Sequence, residues 1–348
     1  MTWRRIATTF SVLALIAAAC GGPETRRGGE PVTLTFVSFG GAYQQAQTNA
    51  WLEPFMKANP NVRIVQEEPT DYAKLQAMVE SGNVTWDVVE VGNDFGLASD
   101  HDVLEPIDCK IVPCDELQSD LFPTRGYRVP DIVYSVVVGY RSDAFAGKQP
   151  TSFADFFDLK KFPGKRGAFN YASWGLLEMA LLADGVQADE LYPLDLDRAF
   201  AKLDTVKDQI VWYDSGAQSA QLLADGEVAM GMSWNGRIFD IQREGAPVDI
   251  MWDQHILTAD YLVVPKGSKN VRAAMQLISW IVSDKNNAEI SKHIAYAPAN
   301  EGAVNNVDRT KERDLPTSYV ETGIGFNDVW WDENFDAVDR RWQEWLQT

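Results

Sequence analysis

The sequence predicts an α/β protein built from two units, and three observations lead to this prediction. The chain has 348 residues, which is enough to bury the cores of two domains. Its hydrophobic content of 45% and aromatic content of 11% are typical of a globular protein. Short apolar runs alternate with amphipathic stretches of helical period, a pattern that indicates a parallel sheet covered by helices on both faces.

The N-terminus is typical of an exported protein. Two arginines precede an apolar run over 6–19 that is too short to cross a bilayer, so we predict a signal peptide over 1–19. The run ends in "AAAC", which resembles a lipobox with alanine in place of its usual leucine. We therefore predict lipidation of Cys20, a tether over 20–30, and a periplasmic or cell-surface location with membrane contact through the lipid anchor only. Plain secretion with an incidental cysteine is the alternative.

The remaining cysteines agree with export. Cys109 and Cys114 lie close together, and in an oxidising compartment such a pair predicts a disulfide that staples a loop. A metal-binding pair is the alternative, but the three histidines are isolated and no zinc or iron motif can be written from them. We expect no metal and no cofactor.

The elements of the first unit follow one another in βαβαβ order. They are a strand over 32–38, a helix over 43–59 entered through a Gly-Gly turn, a strand over 61–68, a helix over 71–82, and strands over 86–91 and 134–141. Such an opening predicts parallel strand pairing.

The second unit repeats the alternation. Its predicted elements are a short helix after 152, a strand over 167–170, a helix that starts at Ser173, a helix and strand within 196–213, a helix from 216, a strand over 228–232, a strand over 261–268, a helix over 271–284 and an amphipathic helix at the C-terminus. The strand over 228–232 is expected to stop on a turn at "SWNGR". Ligands of open α/β sheets lie beyond the carboxyl ends of strands, so the loops after these strands are where a site is expected.

Two classes of function find no support. The net charge of −19 argues against a nucleic-acid partner, because little is available to neutralise a run of phosphates. The sequence contains no G-x-S-x-G, H-E-x-x-H, P-loop or dinucleotide motif, so we assign no catalytic residues and expect no enzyme.

Aromatic residues and isolated charges gather at the strand ends. Each one alone is better explained by core packing, but a set of them near one carboxylate suits a bound cation. The residues of this set are Phe39, Tyr43, Trp174, Trp234, Arg237, Asp260 and Tyr296. Together they predict a binding pocket.

Several stretches, taken in order, resemble the extracellular solute-binding proteins of ABC importers, in the spermidine/putrescine-binding branch. The most specific are "LLADGEVAMGMSWNGR", "ADYLVVPKGSKNVRAAMQLISWIV" and "AYAPAN". The resemblance implies a type II-like periplasmic-binding-protein fold of two lobes joined by hinge strands, with crossovers near 136–140 and 260–264. It implies a monomer that serves a permease in the inner membrane. The two implied lobes are 31–138 plus 262–300 and 139–261 plus 301–348.

The resemblance also implies roles for single residues. Trp234 matches a tryptophan that stacks on a polyamine chain, Asp260 a carboxylate that pairs with an amine, and Tyr296 a pocket tyrosine. Phe39 and Tyr43 match an aromatic pair, to within about one residue. Trp331 falls near a late polar contact.

The match departs from the family at two places. Thr258 stands where the family has a tryptophan. The loop "NYASWG" carries Tyr171, Ser173 and Trp174 where the family has acidic residues that hold a second amine. Asp94 is the one further candidate for that second anionic group.

The ligand therefore has two interpretations. A polyamine such as putrescine or spermidine is the main expectation, with Arg237 paired to Asp240 or Asp253 and kept out of the pocket. If Arg237 instead faces Asp260 across the cleft, the ligand would carry a carboxylate and an amine, as γ-aminobutyrate does. An exported hydrolase or lyase acting on a small amine is an alternative of another class.

Overall fold

The computed structural model describes residues 31–117, 126–308, 310 and 312–348. The predicted signal peptide, lipid anchor at Cys20 and tether lie outside the described residues and stay predictions. The strands are β1 (Val32–Val37), β2 (Val62–Glu67), β3 (Val88–Val91), β4 (Arg128–Arg141), β5 (Arg166–Phe169), β6 (Ile210–Tyr213), β7 (Met230–Trp234), β8 (Val248–Val263), β9 (Ala297–Pro298) and β10 (Gly323–Gly325). They form one sheet in the order β2-β1-β3-β8-β4-β7-β5-β6, with β10 beside β8 and β9 beside β4.

Helices cover the faces of this sheet. They are α1 (Gly41–Gln47), α2 (Glu53–Ala58), α3 (Tyr72–Glu80), α4 (Phe153–Phe157), α5 (Leu176–Ala183), α6 (Leu196–Asp204), α7 (Gly216–Ala224), α8 (Asn235–Arg243), α9 (Val271–Ile281), α10 (Asp284–Asn287), α11 (Glu301–Val304) and α12 (Asp328–Leu346). A π-helical segment, Thr48–Leu52, joins α1 to α2, so the predicted helix over 43–59 is continuous but locally unwound. Side-chain caps start several helices, for example Asn327, whose Oδ1 accepts from the N–H of Trp330 at the start of α12.

The sheet is mixed. β1 pairs in parallel with β2 and β3, as the βαβαβ order predicts, and β5 pairs in parallel with β6 and β7. The two long strands β4 and β8 run antiparallel along most of their lengths and connect these parallel sets. The β4–β8 register shifts between Pro130 and Ile132 and again between Val136 and Val138.

The two long strands also connect separate hydrophobic cores. In β4 the side chains up to Tyr134 pack into the cores around β1–β3, whereas alternate side chains from Val136 to Tyr140 pack into the core around β5–β7. In β8 the same change of core occurs between Ile256 and Leu257. This arrangement suits strands that act as hinges, although the lobe boundaries given above stay predictions.

Two predicted boundaries were wrong. The helix expected to start at Ser173 begins at Leu176, because Gly175 has a φ of 88° and takes the chain through a left-handed turn first. The strand expected from 261 begins at Val248 and already contains Asp260. Its first half carries polar residues at 249 and 253–255, which hide the strand pattern in the sequence.

The turn predicted at "SWNGR" was also wrong. β7 extends to Trp234, and α8 starts at the next residue with no intervening turn. Gly236 therefore lies in a helix. A Cβ there would come within 2.5 Å of the Tyr296 ring, so this glycine lets α8 pack directly against Tyr296.

Cys109 and Cys114 form a disulfide, with 5.5 Å between their Cα atoms. In the part of the chain that the structure describes, no helix has both the length and the apolar character needed to span a membrane. The same residues contain no cluster of three or more side chains suited to hold a metal ion.

Candidate functional site

A cavity of about 420 Å³ lies at the carboxyl ends of β1, β3, β5 and β7, where ligand sites of α/β sheets are expected. Eight of the residues predicted from the sequence line it: Phe39, Tyr43, Asp94, Trp174, Trp234, Arg237, Asp260 and Tyr296. These residues are far apart in the sequence, and the fold places them around one cavity.

One wall of the cavity is aromatic and centres on Trp234. Its ring stacks on Phe169 with centroids 5.2 Å apart and lies 5.5 Å from the ring of Trp174. Tyr134 meets it edge-on at 6.4 Å. Gly216 at the start of α7 leaves room for this ring, because a Cβ there would lie 2.5 Å from the indole. Trp234 is thus fixed by packing before any ligand arrives, which reduces the entropy lost on binding.

Asn235 anchors the start of α8. Its Oδ1 accepts from the backbone N–H of Ser135 at 2.9 Å, and its Nδ2 donates to the carbonyl of Ala295. The side chain is fully buried and tied to the backbone on both sides. It therefore holds α8 in place between β4 and the segment that carries Tyr296.

Arg237 extends from the first turn of α8 toward the cavity. Its Nη1 lies 3.8 Å from where a Cβ on Gly41 would be, so the guanidinium reaches the first turn of α1. Among the described residues Arg237 forms no ion pair, and its buried Nε has no hydrogen-bond partner. The expected pairing with Asp240 or Asp253 is therefore absent from this part of the chain, and the guanidinium is available to a ligand.

Asp260 supplies the opposite charge. It lies in β8 opposite Ile132 and is only 7% exposed. Burial raises the pKa of its carboxyl well above the ordinary value, and the charge of Glu90 raises it further. A hydrogen bond with Tyr134 and the charge of Arg237 oppose that shift but do not cancel it. A buried carboxylate of this kind gains much from a cationic partner.

Two cavity tyrosines donate their hydroxyl protons to carboxylates. The hydroxyl of Tyr43 donates to Oε1 of Glu90 at 2.5 Å, and that of Tyr72 donates to Oδ1 of Asp94 at 3.0 Å. The polar part of the cavity near Asp260 is thus rich in hydrogen-bond acceptors, which suits a donor such as an ammonium group.

Exposed aromatic side chains surround the opening. Phe39 is 37% exposed, Tyr171 43% and Phe335 42%, and all three line the cavity. The structure describes only two other large hydrophobic residues with comparable exposure, Val65 and Val320. The coincidence of exposed aromatics with one cavity favours a binding site over incidental surface residues.

The prediction for Trp331 was wrong. Its side chain is 2% exposed and is absent from the cavity lining, because its Nε1 points inward and donates to Oε1 of Glu178 at 2.7 Å. Phe335, one turn later on α12, lines the cavity instead.

Sequence reasoning missed several other lining residues. They are Thr70, Tyr72, Asn93, Tyr134, Val136, Phe326 and Phe335. Tyr134 stands within an apolar strand and looks like a core residue. Tyr72 could have been found, because it follows the carboxyl end of β2 just after the α3 cap residue Asp71.

Comparison with known proteins places the chain in a family. Residues 50–317 match the family described as bacterial extracellular solute-binding protein. A γ-aminobutyric acid-binding protein of Pseudomonas aeruginosa is 35% identical over 322 residues, which cover 90% of each chain. A solved structure of a GABA receptor superimposes with a TM-score of 0.84 at 41% identity, over 90% of this chain and 98% of that one.

A spermidine/putrescine-binding periplasmic protein of Haemophilus influenzae is more distant, at 25% identity over 286 residues, covering 80% of this chain and 78% of that protein. The fold is that of a periplasmic binding protein, which confirms the predicted fold. The chain belongs to the bacterial extracellular solute-binding protein family. It is the substrate-binding component of an ABC transporter and not an enzyme.

Proposed function

We propose that this protein captures a small zwitterion with a carboxylate at one end and an amine at the other, such as γ-aminobutyrate, and delivers it to a permease in the inner membrane. The observation that carries the proposal is that Arg237 and Asp260 line one cavity without pairing with each other. A guanidinium binds a carboxylate through parallel hydrogen bonds, and a carboxylate binds an ammonium group. A ligand with both ends would satisfy both residues at once.

The aromatic wall fits the middle of such a ligand. Trp234 and Tyr296 line the same cavity as the two charged residues and provide apolar surface for a short methylene chain. The similarity to proteins named for γ-aminobutyrate supports this assignment over the polyamine that the sequence resemblance favoured.

A polyamine such as putrescine is the second candidate, because Asp94 lines the same cavity and offers a second carboxylate. Against it, an unpaired guanidinium would face one of the two ammonium groups and repel it. The two candidates therefore differ in their interaction with Arg237, which would bind the carboxylate of γ-aminobutyrate but repel an ammonium group of putrescine.

A thermal-shift panel separates the candidates. The panel contains γ-aminobutyrate, putrescine, spermidine, basic amino acids and betaines. A ligand at a thousand times its Kd stabilises the protein by about 4 kcal/mol through mass action. We expect γ-aminobutyrate to raise the melting temperature most. A larger shift with putrescine, and none with γ-aminobutyrate, would refute the proposal.

Binding of the amine is expected to weaken on acidification. An ammonium group binds the ionised form of Asp260, whose pKa is raised in the ligand-free protein by burial and by Glu90 and Asp94, against Tyr134 and Arg237. Below that pKa a proton must leave on binding, so affinity falls by up to about tenfold per pH unit. Calorimetry in two buffers of different protonation enthalpy should detect the released proton. No proton release at any pH below neutral would contradict this role of Asp260.

A further inference from the structure

A group of buried carboxyls lies directly behind the cavity. Glu90 in β3 and Asp131 in β4 are both fully buried, and Asp260 in β8 lies between their strands. β3 pairs Glu90 with Leu262, and β4 pairs Ile132 with Asp260, so the three acids cluster around one part of the sheet. Only Asp260 lines the cavity.

Glu90 is held by donors on two sides. Its Oε1 accepts from the Tyr43 hydroxyl at 2.5 Å, and its Oε2 accepts from Nε2 of Gln47 at 2.9 Å. Gln47 is itself oriented by Ser38, whose hydroxyl donates to Gln47 Oε1 at 2.6 Å. This chain of bonds fixes the direction of the Glu90 carboxyl.

Asp131 makes Glu90 part of a pair. Neither carboxyl oxygen of Asp131 has a hydrogen-bond partner among the described residues. Burial raises the pKa of both carboxyls well above their ordinary values. The charge of Asp131 nevertheless raises the pKa of the Glu90 carboxyl further, so the two acids act on each other. Two interacting buried acids ionise together less readily than either would alone. In the structure, Oε1 of Glu90 accepts from the Tyr43 hydroxyl.

The consequence concerns the Tyr43 oxygen. A phenol has one proton, and Tyr43 gives it to Glu90. Toward the cavity its oxygen can then only accept hydrogen bonds. Tyr43 and Asp260 both line the cavity. Besides burial, the charge of Asp260 helps to raise the pKa of the Tyr43 hydroxyl, which places the two groups near each other.

We propose that Glu90 is a positioning residue for ligand recognition: by taking the hydroxyl proton of Tyr43, it turns the phenol oxygen into an acceptor for the ligand's ammonium group beside Asp260. The inference rests on the proposed function only in requiring a ligand that ends in an ammonium group. A ligand that offered an acceptor at this end would meet only acceptors and would be rejected.

A double-mutant cycle tests the proposal. The variants are Glu90→Leu, Tyr43→Phe and the two combined, with binding measured by calorimetry using γ-aminobutyrate. Tyr43→Phe removes the hydrogen bond between the phenol oxygen and the ligand, and Glu90→Leu removes the acceptor that orients this oxygen. Each single change should weaken binding by about tenfold to a hundredfold. Because Glu90 acts through Tyr43, the combined variant should bind no more weakly than Tyr43→Phe alone. Losses that multiply would overturn the proposal.

Conservative replacement provides a second readout. Glu90→Gln keeps an acceptor oxygen for Tyr43, and its amide nitrogen can donate to Gln47 once the Gln47 amide turns over and donates to the Ser38 hydroxyl. Its affinity should therefore stay within about threefold of the wild type. If Glu90→Gln lost as much affinity as Glu90→Leu, the negative charge of Glu90 would matter and its role as a hydrogen-bond acceptor for Tyr43 would be rejected. If Glu90→Leu fails to fold, the comparison of Glu90→Gln with Tyr43→Phe still decides the question.

A matched control separates this role from general damage. Glu178 is another buried glutamate that accepts from a tyrosine, Tyr192, at 2.8 Å, and it does not line the cavity. Glu178→Gln should leave affinity unchanged. If the wild type binds putrescine and not γ-aminobutyrate, the proposed function fails, and the same cycle run with putrescine still tests Glu90. If no amine binds, both fail.

Discussion

Arg237→Ala is expected to weaken binding of γ-aminobutyrate by about 30-fold or more, while leaving binding of putrescine unchanged or stronger. The guanidinium is the cavity's candidate partner for a ligand carboxylate, and it has no ion-pair partner of its own among the described residues. Truncating one member of a buried charge pair costs about 2–5 kcal/mol, which is a loss of roughly 30-fold to several thousandfold in affinity. A diamine has no carboxylate to bind this cation, and its affinity should rise when the repulsion is removed. Calorimetric titration with both ligands measures the two effects together.

Arg243→Ala is the matched control for this experiment. Arg243 lies on the same helix α8, two turns later, and contributes to a different surface groove. Its replacement removes the same charge from the same helix but should leave the affinity for either ligand unchanged. If Arg237→Ala kept its affinity for γ-aminobutyrate within a factor of two, the carboxylate end of the proposed site would be wrong.

The sequence identified eight of the residues that line the cavity, because the residues at strand ends follow from the topology. In a parallel βαβ arrangement the carboxyl ends meet at one edge, so Tyr43, Trp174 and Trp234 could be expected to meet even though they are far apart in the chain. Asp260 was expected at the start of a strand, and only the family resemblance implied its role as the partner of an amine. It lies inside β8, where the apolar pattern of the strand alone gives no reason to expect a buried carboxylate.

The sequence could not settle the direction of side chains within an element. Trp331 and Phe335 stand one turn apart on α12, yet only Phe335 reaches the cavity, because Glu178 binds the indole of Trp331 from the inside. Likewise, nothing in the sequence shows whether Arg237 pairs with Asp240 or faces the cavity. That choice depends on tertiary distances between elements, and it decides the ligand.

Asp260→Asn is expected to weaken amine binding by about 2–4 kcal/mol, or roughly 30-fold to 1000-fold, because the ligand's ammonium group would lose its buried carboxylate. Asp253→Asn is the control, since Asp253 is an exposed aspartate on the same strand β8. Equal affinity in the wild type and Asp260→Asn would remove Asp260 from the site.

The same substitution should stabilise the ligand-free protein at neutral pH. Burial raises the folded-state pKa of Asp260 above its unfolded value, so ionising this group costs folding free energy. The cost is absent below the unfolded pKa and grows as pH rises toward the folded pKa. Asp260→Asn should therefore unfold at a higher denaturant concentration than the wild type at pH 7, and the difference should vanish near pH 3. A variant that is less stable at every pH would instead indicate that the carboxylate stabilises the fold. Higher stability of Asp260→Asn at pH 7 would indicate that the carboxylate is kept for ligand binding at a cost in stability.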